Sequence, residues 1–222
     1  MTSFSGFGST ALAFFEGLAA DNSKVYWQAN KGVYDADVKA PMLALLGELA
    51  DYGTFHIFRP YNDVRFAKGR PPYKEQIGAV GEGEGGAIFY VQLSAEGLRV
   101  GTGYYQMATD QLERFRAAVA DDVLGRQVEA LVAQLEKRGC SIAALDELKS
   151  APRGYPKGHP RIALLRRKGL AAMRTWDVAP WLHTKAVVKR VRDAWQEAAE
   201  LDAWLDTNVG PSTLPPSDFG RR

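Results

Sequence analysis

With 222 residues, 46% of them hydrophobic and 24% charged, the chain has the composition of a folded globular protein and falls outside the disordered class. A net charge of +2 argues against a protein that coats duplex nucleic acid, and the single cysteine, Cys140, excludes an intramolecular disulfide or a multi-cysteine zinc site. No apolar run reaches bilayer length, so the expected setting is the cytoplasm, with no membrane partner.

The opening stretch has no Lys or Arg before Lys24 and is interrupted by Glu16, so it reads as a first helix rather than a secretory signal. Ser9 or Thr10 is its expected cap, with Ala11, Leu12, Phe14, Phe15 and Leu18 as the apolar stripe. Asp21-Asn22-Ser23 breaks and re-caps the chain. A second helical pattern then runs toward Gly53, with Pro41 expected to open a new helix rather than bend an old one.

Period-two alternation follows. Thr54 to Arg59 and Tyr61 to Ala67 read as short strands meeting at Pro60, KGRPPYKEQ as a loop, and residues 81–86 (GEGEGG) as a mobile segment. Residues 87–105 form the clearest hairpin. A two-residue loop at Glu96-Gly97 pairs Leu93 with Val100, Val91 with Thr102 and Phe89 with Tyr104. The opposite face then carries Tyr90, Gln92, Arg99, Gly101, Gly103 and Tyr105.

Helical periodicity returns from Thr109 to Arg138 with an interruption near Asp121-Asp122. A Pro/Gly-rich connector over 150–160 leads to a short helix from Arg161 to Arg167, a strand from Leu170 to Thr175 and a last helix from Thr184 to Leu205. The expected organisation is one α+β domain over 1–209, a mainly antiparallel sheet with flanking helices, followed by a flexible tail over 210–222.

Several landmarks together resemble the domain-of-unknown-function family 2461. They are the opening FSGF, then Trp27, Asn30, Lys31, Tyr34 and Pro41, DVRF followed by K and PYK in 63–74, and the GTGYY end of the hairpin. Pro152-Arg153-Gly154-Tyr155, His159-Pro160 and Lys168-Gly169 complete the set, which spans residues 4–205. The chain departs from the pattern at Asn62, where the family more often has Arg, and at Gly69-Arg70, where it more often has Asp-Lys. The resemblance implies a single α+β domain and brings no activity with it.

Function must therefore come from the residues. Seven cations and no acid lie between Ser150 and Trp176, and Arg59, Arg65, Lys68, Arg70 and Lys74 face a lone Asp63 in residues 59–74. On a strand, Asp63 and Arg65 share a face, so the carboxylate can orient a guanidinium whose planar fork fits phosphate or carboxylate. The expectation is a basic pocket for a phosphorylated small molecule or nucleotide. Arg59, Arg65, Lys68, Lys74, Arg153, Lys157 and Arg174 would hold the anion, with Asp63, Tyr73 and His159 as candidate catalytic groups. The bland reading gives the same residues structural ion pairs, core packing and, for His159, a helix cap.

Aromatics among the cations leave a nucleic-acid module as one alternative, and a structural or interaction protein as another. His56 and His183 are isolated, so no metal site is expected. The GEGEGG stretch precedes a strand instead of opening a helix and carries acids, so it is no dinucleotide fingerprint. Cys140, with no evident activating partner, reads as an inert thiol.

Overall fold

The computed structural model describes residues 3–63, 69, 71–83 and 86–215. The first helix, α1 (Ser9–Ala20), buries the expected stripe, but Gly8 occupies the N-cap position and neither Ser9 nor Thr10 supplies a cap bond, because both already lie within the helix. Ser23 does cap α2 (Lys24–Val33), accepting from the Tyr26 amide at 3.1 Å. Beyond α2 the chain stays helical through a π segment at 34–39 and passes into α3 (Ala40–Glu48). Pro41 sits in the first turn of α3. The wider i→i+5 turn immediately before it lets the rod continue where a missing N–H would otherwise break it.

Six strands form one antiparallel sheet in the order β1-β2-β3-β4-β6-β5. They are β1 (Phe55–Ile57), β2 (Gln76–Glu82), β3 (Ile88–Ser94), β4 (Gly97–Tyr104), β5 (Ser141–Ala143) and β6 (Leu170–Asp177). β1 is shorter than its alternation suggested. Tyr61 makes only an isolated bridge to Tyr73, and most of the strand expected over 61–67 lies outside the described residues.

β2 replaces part of what read as loop and mobile segment. Its glycines hid it, and they are there because rings lie over them. A Cβ on Gly81 would stand 2.8 Å from the Phe55 ring, and one on Gly78 would crowd Tyr90 and Phe58.

The hairpin forms with a different register: Ser94 pairs with Gly97, Leu93 with Leu98 and Val91 with Val100. The loop is therefore Ala95-Glu96. Gly97 is the first strand residue rather than a turn residue; its φ of 131° and its close approach to the backbone at Trp176 and Asp177 account for the glycine. The slip changes every partner by two, so each side chain keeps the face expected of it.

The remaining helices are α4 (Thr109–Ala120), α5 (Asp122–Lys137), α6 (Ile162–Arg166), α7 (Ala186–Glu197) and α8 (Ala199–Asn208). Asp121 separates α4 from α5 by capping the latter through the amides of Val123 and Leu124. The last predicted helix is divided at Ala198 into α7 and α8. From the first residues of the predicted tail, Ser212 Oγ and the Thr213 amide both donate to Asp110 of α4, at 2.7 and 2.8 Å.

Both hydrophobic cores take their sheet residues from one face, here called the inner face. Ile77, Val91, Leu93, Leu98 and Val100 join α1, α3 and α7 in the first core, while Tyr104, Leu170 and Ala172 join α4, α5 and α8 in the second. Neither core includes Tyr90, Gln92, Arg99, Gly101 or Met173, which the register places on the outer face. The fold is thus α+β with its helices gathered on one side of the sheet. No described helix is long and apolar enough to cross a membrane.

Candidate functional site

On the outer face a concavity of about 480 Å³ opens across β2, β3, β4 and β6. Strand alternation builds it: Gln76, Tyr90, Gln92 and Arg99 supply polar groups, the exposed Glu96 of the hairpin loop adds a carboxylate, and Phe58, Tyr105 and Met173 supply apolar walls. Gly101 contributes floor rather than height, since a Cβ there would collide with the Met173 side chain lying across from it.

Arg99 is the unusual member. Its Nε is buried without a partner, and among the described residues no carbonyl or carboxylate bonds to its guanidinium. Leaving a buried donor unpaired costs free energy, about 1–3 kcal/mol and more for a charged group. Beside it, the Tyr90 hydroxyl donates to Gln92 Oε1 at 2.7 Å. Burial pushes the Tyr90 phenol up to about 12, with Arg99 opposing the shift, so Tyr90 stays protonated and keeps donating at neutral pH. With Oε1 engaged, the Gln92 amide presents its N–H groups, which have no partner among the described residues. Arg99 and the Gln92 amide therefore place N–H donors together, a set complementary to an anion.

The cations singled out in the sequence are distributed differently. Arg174 lies on the inner face opposite Val100, where it ion-pairs Glu197 of α7. Arg153 and Lys157 are exposed on the connector, and neither lines the concavity. Lys74 comes nearest: its Nζ lies 5.4 Å from the centroid of the Phe58 ring, and Phe58 lines the concavity. Arg59, adjacent in sequence to Phe58, is exposed. Arg65 and Lys68 lie outside the described residues.

Of the candidate catalytic groups, Asp63 is half-buried, and Tyr73 is buried in the first core, stacked on Trp27 at 4.6 Å. Burial raises the Tyr73 phenol above its ordinary value, with Tyr61 adding to the rise. His159 accepts from the Arg161 amide through Nδ1 at 3.1 Å, at the start of α6.

Most of the basic run from 150 to 176 is engaged by the protein itself. Arg161 is buried and donates to Val119 O at 2.6 Å, Ala120 O at 3.1 Å and Asp121 O at 3.2 Å, closing the C-terminal carbonyls of α4. Arg166 donates to Leu148 O at 2.6 Å and pairs with Glu147. Arg167 donates to Ile142 O at 3.1 Å, and Lys168 pairs with Asp146.

The landmarks of the family pattern thus run from the segment before α1 through α2, the π segment, α3, residues 61–74, the hairpin and the connector to the start of β6. The model of the family described as a conserved hypothetical protein, DUF2461, matches residues 10–204. The chain belongs to DUF2461. No curated protein and no solved structure matches it.

In this DUF2461 chain, counting cations along the sequence passed over Arg99 because it stands alone in its hairpin. The signal was nevertheless present. Alternation puts Tyr90, Gln92, Arg99 and Gly101 on one face, opposite an apolar one, and Arg99 is the only cation from 87 to 105.

Proposed function

We propose that this DUF2461 protein binds a small organic anion on the outer face of its sheet, of the phosphorylated small-molecule or nucleotide class. Arg99 is the anchor. The observation that carries the reading is its buried, unpartnered Nε inside a concavity where the Gln92 amide adds N–H donors, although the exposed Glu96 carboxylate is also in the lining. A phosphate or carboxylate oxygen there satisfies Arg99 and the Gln92 amide together, in charge-assisted bonds worth about 1.5–3 kcal/mol. Phe58 and Tyr105, each 37% exposed, offer ring surface to a flat ligand body, and Lys74 places its charge over the Phe58 ring. The protein's free, buried Cys140 fits a reducing cytoplasm.

Calorimetric titration with inorganic phosphate, a nucleoside monophosphate and a sugar phosphate tests the reading. At least one should bind saturably, and Arg99→Met should weaken it by roughly 10–100-fold, the range expected for one charge-assisted contact. Absence of binding across the panel, or binding indifferent to Arg99→Met, would overturn it. The exposed rings favour one second reading, single-stranded nucleic acid stacked on the same face. That reading predicts an affinity for oligonucleotides that falls steeply as salt is raised, whereas a monophosphate site responds weakly.

A further inference from the structure

A second cavity, of about 530 Å³, lies where α8 meets the turn at 50–53 and the ends of β2 and β3. Its character is opposite to that of the outer-face site. Asp51, Glu82, Asp202 and Asp206 line it, and no lysine or arginine does. Asp51 is already committed, accepting two bonds from Arg192 at 2.6 and 2.7 Å. Asp206 accepts from the Tyr104 hydroxyl at 2.9 Å and remains half-buried, with further acceptor capacity.

Asp202 is the independent observation. The residue is 8% exposed, its Oδ2 accepts from Thr102 Oγ1 at 2.7 Å, and its Oδ1 is buried with no partner. A carboxylate oxygen withdrawn from water and left unbonded is unfavourable unless something else satisfies it. Asp202 and Asp206 are four apart on α8, so two acids share one helical face, a spacing that disfavours the empty helix and favours a cation between them.

We propose that this cavity takes a small organic cation carrying a primary ammonium, held between Asp202 and Asp206 with its hydrocarbon against the rings of Tyr52 and Phe89. Those two rings line the cavity and meet edge to face at 5.0 Å, giving it an apolar wall that a hydrated metal ion would not use. Among the described residues no three acidic, histidine or cysteine side chains gather closely enough to hold a metal. An ammonium asks less: three donors reach acceptors at ordinary hydrogen-bond lengths, and the chain behind it packs on the rings.

Burial pushes the Asp202 carboxyl up to about 7, and Asp206 adds to the rise. Amine affinity should therefore increase from pH 6 to pH 8 as Asp202 ionises. The other titratable and charged groups around it are Asp206 on α8, Asp51 and Tyr52 on the 50–53 turn, Glu82 on β2, Tyr104 on β4 and Arg192 on α7. The bond to Arg192 holds the Asp51 carboxyl below its ordinary value, whereas burial raises that of Asp202, so Asp202 is the group that brings a pH response near neutrality.

The test is calorimetric titration of the full chain at pH 8 with putrescine and with spermidine, alongside MgCl2 and CaCl2. At least one amine should bind saturably. Asp202→Asn, which retains an acceptor for Thr102, and Asp206→Asn should each weaken it at least tenfold, while the exposed-surface control Glu113→Gln leaves it unchanged. Thermal melts confirm that the variants fold. No saturable amine binding, equal affinity in all three variants, or displacement of the amine by either metal would overturn the proposal. Arg99→Met should leave amine binding intact, which separates this site from the outer-face one.

Discussion

The stretch from 150 to 176 and the hairpin from 87 to 105 treat positive charge in opposite ways. The first carries seven cations, and five of them (Arg161, Arg166, Arg167, Lys168 and Arg174) are engaged by the protein's own carbonyls or carboxylates. The hairpin carries one, Arg99, and nothing among the described residues engages it. Density of charge along a chain therefore reports how much local structure the charges must tie together. A connector with little regular structure leaves carbonyls exposed, and arginines close them. A cation within a well-formed sheet has no such duty, because the ladder already satisfies the backbone around it.

The comparison breaks first at Arg161. Its bonds to the carbonyls of Val119, Ala120 and Asp121 at the end of α4 are buried or part-buried, so Arg161→Ala should lower stability by about 3–5 kcal/mol in urea denaturation while leaving anion binding by the folded fraction unchanged. If binding were lost and stability kept, the two regions would have exchanged roles.

Next in size is Asp202, a buried charge of the other sign. Its carboxyl is raised from 3.8 to about 7, so the folded state holds the proton more tightly than the unfolded chain does. Stability should then fall as pH rises from about 4 to about 7 and stay low above that. Asp202→Asn should remove this slope and, at pH 8 without ligand, gain at most about 4 kcal/mol. Thermal melts across that window check it.

Arg99→Met should leave the ligand-free protein no less stable, and more stable by up to about 1–3 kcal/mol, since an unpartnered buried donor is removed and no native bond is lost, yet weaken anion binding by roughly 10–100-fold. That contrast with Arg161 is the sharpest form of the comparison. The smallest effect belongs to Arg166→Gln. Its charge partner, Glu147, is half-exposed, so what is lost is chiefly the bond to Leu148 O, about 1 kcal/mol by chemical denaturation.

Much of the architecture was legible. Apolar spacing gave α1, the α4–α5 pair with its break at Asp121, β6 and the last helical segment, because each buries one face against a core and the period follows. β2 was not legible. Gly78 and Gly81 weaken any strand signal, and their reason, the rings of Phe55, Phe58 and Tyr90 lying over them, comes from neighbouring strands. Gly97 misled in the same way: a glycine beside a turn was read as part of the turn, when the approach of β6 required it.

The candidate site was half legible. The face carrying Tyr90, Gln92, Arg99 and Gly101 followed from alternation alone, and survived a wrong register because a slip of two in partner preserves the face. What alternation could not say is that Arg99 would be left without a partner, or that Arg174, expected beside the anion, would point to the helices instead. β6 sets that: its pairing with β4 puts Arg174 in line with Val100 and Met173 in line with Gly101.

By itself the amino-acid order determined most of the helices, the faces of the hairpin strands and membership of an α+β family, since these depend on periodicities of two and 3.6 that any reader of the chain can count. Only the tertiary structure decided which charges are free. Whether a guanidinium meets a carbonyl, a carboxylate or an empty concavity depends on segments distant in sequence, brought together by burial of the inner face, and no local pattern encodes that meeting.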